Sequence, residues 1–444
     1  MSADLPLLTY LLLAPLLLRW VTPPAGVLAV VLGGWLVLPV GQFPTEAASN
    51  SFPYWIIGTA LPSDMLMTKA WIAPAAAVLG LVLFRRPVLT RLRPGWVDVP
   101  MLVWCGWPLL QALFVDAPRP GAAIASLYLA GTWGLSWLLG RACFASAADR
   151  VMLLKGLALA GLACLPFALI EGPFGPRIYE AIYEPHPFRF DGPVRYLGYR
   201  PIGLFEHGNQ YGLWVALCSL AALWLAASLP GRRWRVIAAI DLGVALAAQS
   251  VGAVLLLVLG ILFLTACRWW RPRAMLATAS AALVVAGATY VSGMLPIERI
   301  GRDTAFGRHV VDNLRAVGRD SFAWRIAQDQ RLLPAATARP LTGAGAWDWW
   351  RAQQRRPWSF TILALGQFGL IGLAACLVAW VAPALVAGSG VPAGSVRTPS
   401  GAPLVLAALI VLSVLDALLN SFIFYPSLLA AGALAVRGEG AVTR

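Results

Sequence analysis

Charge is scarce in this 444-residue chain: 12% of its residues are Asp, Glu, Lys or Arg, against about 25% in a typical soluble domain. Lysine is nearly absent, with only Lys69 and Lys155 among 34 basic residues. Histidine is limited to His186, His207 and His309, and none joins cysteines or carboxylates at metal-ligand spacing, so no metal site is expected. The six cysteines lie in or beside apolar runs and form no CxxC pair. They read as small apolar residues, not a disulfide framework. A Walker loop and a dinucleotide fingerprint are both missing, which argues against ATP-driven transport by this chain alone and predicts no cofactor. Before the first apolar run stands Asp4 where a cleaved signal would carry basic residues, so no such signal is expected.

What is present is hydrophobicity, at 59% of residues and a mean hydropathy of +0.73. A membrane span needs about 20 apolar residues, somewhat fewer if the bilayer thins. Runs of that kind fall near 5–19, 24–41, 70–84, 97–115, 121–140, 151–170, 209–229, 236–249, 251–267, 274–294, 359–386, 402–420 and 422–436. The expected fold is therefore all-α: a polytopic helical bundle of about 12–13 spans with two extended outer loops, the second partly helical. Its parts are N-terminal spans (1–170), a first loop (171–208), central spans (209–294), a large second loop (295–358) and C-terminal spans (359–444).

The net charge is +14. A basic balance can mean nucleic acid, but these arginines sit between apolar runs, so topology explains them first and no nucleic-acid partner is expected. Arg85, Arg86, Arg91 and Arg93 form one basic loop, and Arg141 with Arg150 a second. Arg232, Arg233 and Arg235 mark a third, and Arg268, Arg271 and Arg273 a fourth. Alternating spans put all four on one side, the expected cytoplasmic face. The two long loops then lie outside, and both are rich in arginine. Long loops escape the positive-inside bias, so an anionic ligand is the natural reason for their charge.

The first loop ends Tyr199-Arg-Pro-Ile-Gly-Leu-Phe-Glu-His-Gly-Asn-Gln-Tyr-Gly212, directly before an apolar run. A helix N-terminus offers free N–H groups and a positive dipole end to phosphate, and Arg200 adds a planar fork. Glu206 and His207 are candidate proton carriers. The alternative is an interfacial cap of snorkelling polar residues. In the second loop, eleven arginines up to Arg356 face six acids. Ion pairing among them is the competing explanation, and it absorbs about half. Leu314, Val317, Phe322, Ile326 and Leu333 recur at helical spacing across 313–333, with Pro334 and Pro340 as its stop and a Gly343/Gly345 turn before Trp347. Asp416 and Asn420 are one helical turn apart near the end of their span and share a face. Asp241 lies in another span. Ionisable groups in a membrane are functional candidates, with helix–helix hydrogen bonding the plainer alternative.

Across residues 195–425 these pieces, in this order, resemble the bacterial O-antigen ligases and the O-antigen or exopolysaccharide polymerases. Arg200-Pro-Ile-Gly-Leu-Phe with Asn209 is similar to the family's Arg-Pro-x-Gly-Leu-Phe…Asn segment, and Gln249-Ser-Val-Gly-Ala253 to its Ser-Arg-Gly segment. Arg325, then Arg339-Pro-Leu-Thr-Gly-Ala-Gly345, resembles the stretch leading to Pro-Leu-x-Gly-x-Gly. Gly366-Gln-Phe-Gly-Leu-Ile-Gly372 resembles the Glu-x-Gly-Leu-Ile-Gly helix. Three features depart: Val251 replaces the arginine of Ser-Arg-Gly, Gln367 replaces the glutamate, and Trp358-Ser359 stand where the ligases have His-Asn. The missing histidine argues against a standard ligase and favours a polymerase-like or divergent member, or an inactive one.

The resemblance implies a metal-independent glycosyltransferase of the bacterial inner membrane. Its donor would be an undecaprenyl-diphosphate-linked oligosaccharide, and its neighbours other polysaccharide assembly and export proteins. On this basis Arg200, Arg325, Glu206, His207, His309 and Asp320 are catalytic candidates. Arg195, Asn209, Arg339, Gly343, Gly345, Asp416 and Asn420 are candidates for holding diphosphate or glycan. Ligase-type transfer to lipid A core or protein, a non-catalytic export partner and a flippase remain the alternatives.

Overall fold

The computed structural model describes residues 4–41, 67–115, 119–183, 186, 194–294, 300, 301, 303–316 and 320–435. The chain is an all-α polytopic bundle, and each of the thirteen apolar runs carries helix. Among the described residues six helices are long and apolar enough to cross a membrane on their own: Gly121–Cys143, Ala147–Phe174, Gly208–Ser228, Pro272–Ser292, Phe360–Ser389 and Pro399–Ala417. Pro23–Val37, Lys69–Phe84 and Val251–Ala266 are apolar but shorter. Among the described residues, the helices of full spanning length number six, fewer than the twelve or thirteen crossings expected from the apolar runs. The sole regular sheet among the described residues is a two-stranded hairpin, Val194–Arg195 with Gly198–Tyr199.

Lipid offers no hydrophobic drive between helices, so close contact and hydrogen bonds must hold them. Gly140 and Gly432 show the contact: a Cβ on Gly140 would stand 2.3 Å from the Leu429 carbonyl oxygen, and one on Gly432 2.2 Å from that of Trp137. Arginines of the first two basic loops bond to backbone carbonyls at helix ends. Arg85 Nε donates to the Leu18 carbonyl (3.1 Å) and Arg150 Nε to that of Ala433 (3.2 Å). Arg141 pairs with Asp98 at 2.6 Å.

The expected uninterrupted span 359–386 is broken. Phe360–Ser389 runs as one helix except at Gly369, whose backbone lies at φ 68°, ψ −175°. The second loop enters this break. Leu370 N–H donates to the Pro340 carbonyl (2.8 Å) and Ile371 N–H to that of Leu341 (3.2 Å). In return Ala344 and Gly345 donate to the carbonyls of Gly366 (2.8 Å) and Gln367 (3.0 Å). Trp107 Nε1 reaches the Phe368 carbonyl at 2.6 Å, and Gln111 Nε2 that of Gln367 at 2.6 Å. These backbone groups freed by the break are therefore satisfied by protein, the condition under which irregular backbone is tolerated at membrane depth.

The second loop forms two helices where one was expected: Ala305–Ala316 and Asp320–Ala336. Pro334 does not stop the latter, and Thr337 N–H still bonds the Leu333 carbonyl (2.9 Å). Proline removes only its own donor, so bonds made by residues beyond it survive. Asp329 anchors this helix to the bundle. Its carboxylate accepts from Trp358 N–H (2.6 Å), Ser359 N–H (3.0 Å) and Tyr290 Oη (2.8 Å).

Candidate functional site

The Arg200–Gly208 segment is held from below by a residue that composition gave no reason to single out. Glu171, fully buried, accepts backbone N–H groups from Ile178 (3.1 Å), Ile202 (2.7 Å) and Gly203 (2.7 Å). Lys69, also fully buried, donates to the Leu204 carbonyl and sits over the rings of Trp35 (4.8 Å) and Phe205 (5.0 Å). From the side, Gln249 clamps the hairpin. Its Oε1 accepts Leu197 N–H (2.8 Å) and its Nε2 donates to the Tyr199 carbonyl (3.1 Å). To do so Gln249 adopts φ 50°, an uncommon conformation for a non-glycine residue. The sequence signal for all three was the same: a lone polar residue inside or at the edge of an apolar run.

Arg200, 5% exposed, donates to Asn209 Oδ1 and lies against Gly208, where a Cβ would stand 2.6 Å from its Cδ. His207 caps the following helix, its Nδ1 accepting the Asn209 N–H (3.0 Å), and its ring stacks on Phe422 at 5.2 Å. Phe422 belongs to the short link after Asn420, and Asn420 brings in the second loop. Arg325 Nη1 donates to Asn420 Oδ1 (2.6 Å), and Asn420 Nδ2 to Asp416 Oδ1 (2.9 Å). Trp358 forms the wall, with Arg325 and Arg356 over its ring at 5.2 and 4.6 Å. Trp358 is thus an aromatic platform for two guanidinium groups.

Electrostatics tie these pieces into one cluster. Burial holds the His207 imidazole well below the ordinary histidine range, and the charges of Arg200, Arg325, Arg195 and His186 push the same way. Arg195 is half-buried, with its Nε lacking a hydrogen-bond partner among the described residues. His207 is therefore neutral at neutral pH. With Nδ1 accepting, its proton resides on Nε2. That tautomer donates a hydrogen bond and has no lone pair left to act as a base.

The other candidates are placed differently. Glu206 turns away from this cluster into the core, where both carboxylate oxygens lack a hydrogen-bond partner among the described residues. Burial pushes its carboxyl up, opposed by the charge of Lys69. His309 and Arg339 are exposed, and among the described residues neither bonds to Arg200, His207 or Arg325. Gly343 (φ 75°) and Gly345 (φ 72°) line the inserted turn, where a Cβ on Gly343 would stand 2.4 Å from Gly369 N. Close backbone approach accounts for Gly343, and the positive φ for Gly345. Asp320 begins its helix and its side chain lies outside the described residues, as do Arg299, Arg302 and Arg319. Asp241 is fully buried against Gly161, distant in sequence from the loops, with both oxygens unpartnered among the described residues. No three His, Cys, Asp or Glu side chains among the described residues are grouped to hold a metal ion.

The depressed His207 has a consequence for stability. A group protonated in the unfolded chain near pH 6.5 but not in the native one makes stability fall with acidification. The contribution is complete above about pH 6.5 and is lost as pH drops toward the lower native value. Thermal unfolding of His207→Gln, compared with the parent protein at pH 7.5, 6.5 and 5.5, should show a shallower acid decline. Equal slopes would mean that His207 titrates alike in the native and unfolded chains.

Compared with protein-family models and with curated proteins, the chain matches none.

Proposed function

We propose that this chain is a glycan polymerase that works on undecaprenyl-diphosphate-linked saccharides at the outer face of the bacterial inner membrane. The observation that supports this best is the run of contacts that links Arg200, from the first loop, through Asn209 and His207 to Phe422, two residues after the Asn420 that holds Arg325 of the second loop. Two loops remote in sequence deliver cations to one place, and a diphosphate is a ligand of matching charge.

In the proposed reaction a hydroxyl oxygen of the acceptor sugar forms a bond to the anomeric carbon of the donor. The bond from that carbon to the diphosphate oxygen breaks, and undecaprenyl diphosphate leaves. Negative charge grows on the diphosphate as it departs. Preorganised guanidinium donors lower the energy of that state more than the energy of bound substrate. Arg325 is oriented by the Asp416–Asn420 pair, and Arg200 by Asn209. The acceptor's proton passes to the departing diphosphate, which gains basicity as the bond breaks, so no protein base is required. His207 contributes a hydrogen bond from Nε2. For the polyprenyl tail there is an apolar cleft of about 220 Å³ beside Arg195, lined by Tyr196, Leu197, Leu246, Gln249, Val251 and Leu255 among others.

The direct test uses the purified protein in liposomes carrying a lipid-linked oligosaccharide as the only saccharide. A polymerase lengthens the glycan while it remains on the carrier lipid. Chains of unchanged length that appear on an added lipid A core would show a ligase. Chains unchanged in length, carrier and side of the bilayer would sink the proposal.

A further inference from the structure

A second cation-bearing cleft lies at the opposite end of the bundle. The Gly208–Ser228 helix starts at His207, and the Val251–Ala266 helix starts at Ser250, next to the Gln249 that clamps the hairpin carrying Arg195. Both end at a cleft of about 150 Å³ whose walls include Leu220, Leu223, Trp224, Ile261 and Leu264 and whose rim carries Arg268 and Arg397. A 16-residue helix is about 24 Å long, so this cleft is separate from the site above.

Three features define what it would take. First, the rim is fixed. Trp224 Nε1 donates to the Val396 carbonyl (2.7 Å), and Val391 and Val396 are buried, so the connector that presents Arg397 is stapled to the bundle. Second, the charge is uncompensated: among the described residues neither Arg268 nor Arg397 has a carboxylate within ion-pair distance, Arg268 resting instead on Trp269 at 5.4 Å. Third, residues typical of a membrane interface flank the cleft. Trp269 and Trp270, directly after Arg268, are 71% and 64% exposed, the placement of interfacial anchors. The apolar wall beside them is exposed at Ile261 and Leu262.

We infer that this cleft is a binding site for an anionic glycerophospholipid. Its phosphate would lie between Arg268 and Arg397, and its acyl chains would run along the leucine-lined groove of the two helices. Uncompensated arginines supply the charge preference, and the groove supplies the selection for a lipid over a free anion.

Native mass spectrometry of the detergent-purified protein tests this, with phosphatidylglycerol and phosphatidylcholine of identical chains as probes. Phosphatidylglycerol should be retained selectively. The double variant Arg268→Ala/Arg397→Ala should bind it about 10–30-fold more weakly, at about one kcal/mol for each interfacial cation, while phosphatidylcholine binding stays the same. Arg232→Ala/Arg233→Ala carries the same loss of charge on exposed residues elsewhere and should leave binding intact. Ala227 also lines the cleft, so Ala227→Trp fills the groove without touching charge and should also release the lipid; it decides the matter if the double arginine variant fails to fold. Equal binding of the two lipids, equal loss in the Arg232/Arg233 control, retention by Ala227→Trp, or full displacement by inorganic phosphate would each overturn the inference.

Discussion

Alanine at Arg200 or at Arg325 is expected to lower glycan transfer by about 10²–10³-fold, the usual consequence of removing one preorganised donor to developing charge. The loss should fall on kcat more than on KM, because the guanidinium groups matter most when the diphosphate is leaving. Lysine at either position keeps the charge and loses the planar fork, so it should recover only part of the rate. The two arginines share one expected ligand, hence the double variant should lose less than the product of the single losses. Stability needs a separate readout. Arg200 is buried and bonded to Asn209, and Arg325 is bonded to Asn420, so each variant must be shown monodisperse in detergent. Folded single variants that make polymer at the parental rate would remove these arginines from the site.

The second large effect is structural and independent of any activity. Alanine at Gly369 should destabilise the protein by about 3–5 kcal/mol, from strain of about 1–3 kcal/mol in a backbone region nearly confined to glycine and a comparable overpacking term. Two observations make the cost hard to evade. Gly369 has φ 68° and ψ −175°, and a Cβ there would stand 2.3 Å from the Leu341 carbonyl oxygen and 2.5 Å from Gly343 N. These are backbone atoms that are themselves hydrogen-bonded, so they cannot swing aside. The unfolding midpoint in detergent should drop by several degrees, and the inserted turn at Pro340–Gly345 should become accessible to protease. Gly252 is the control: it is helical, and a Cβ there meets nothing within 4 Å, so Gly252→Ala should be neutral. If Gly369→Ala melts with the parent, the helix is continuous there and the turn does not insert.

The same two loops show how far a linear reading carries. The helical spans were legible because lipid demands long apolar runs, a property of neighbours along the chain. The Arg200-Pro-Ile-Gly-Leu-Phe segment stood out because polar residues were crowded at a helix start. Its supports did not. Glu171, Lys69 and Gln249 lie 29, 131 and 49 residues from Arg200 by sequence number, and only folding shows that they grip one loop. Gly343 and Gly345 looked like ligand-facing turn residues, yet their neighbours in space are the atoms of a broken helix. Pro334 looked like a stop and is not one.

Sequence alone determined that this is a membrane-embedded helical protein with surplus arginine gathered in two long loops, because hydrophobic length and charge content are additive along a chain. The tertiary structure decided which of those arginines share a place, that His207 is a neutral donor, and that the Phe360–Ser389 helix is interrupted. Those properties depend on Coulomb interactions and packing that fall off with distance in space, and separation along the chain does not report that distance.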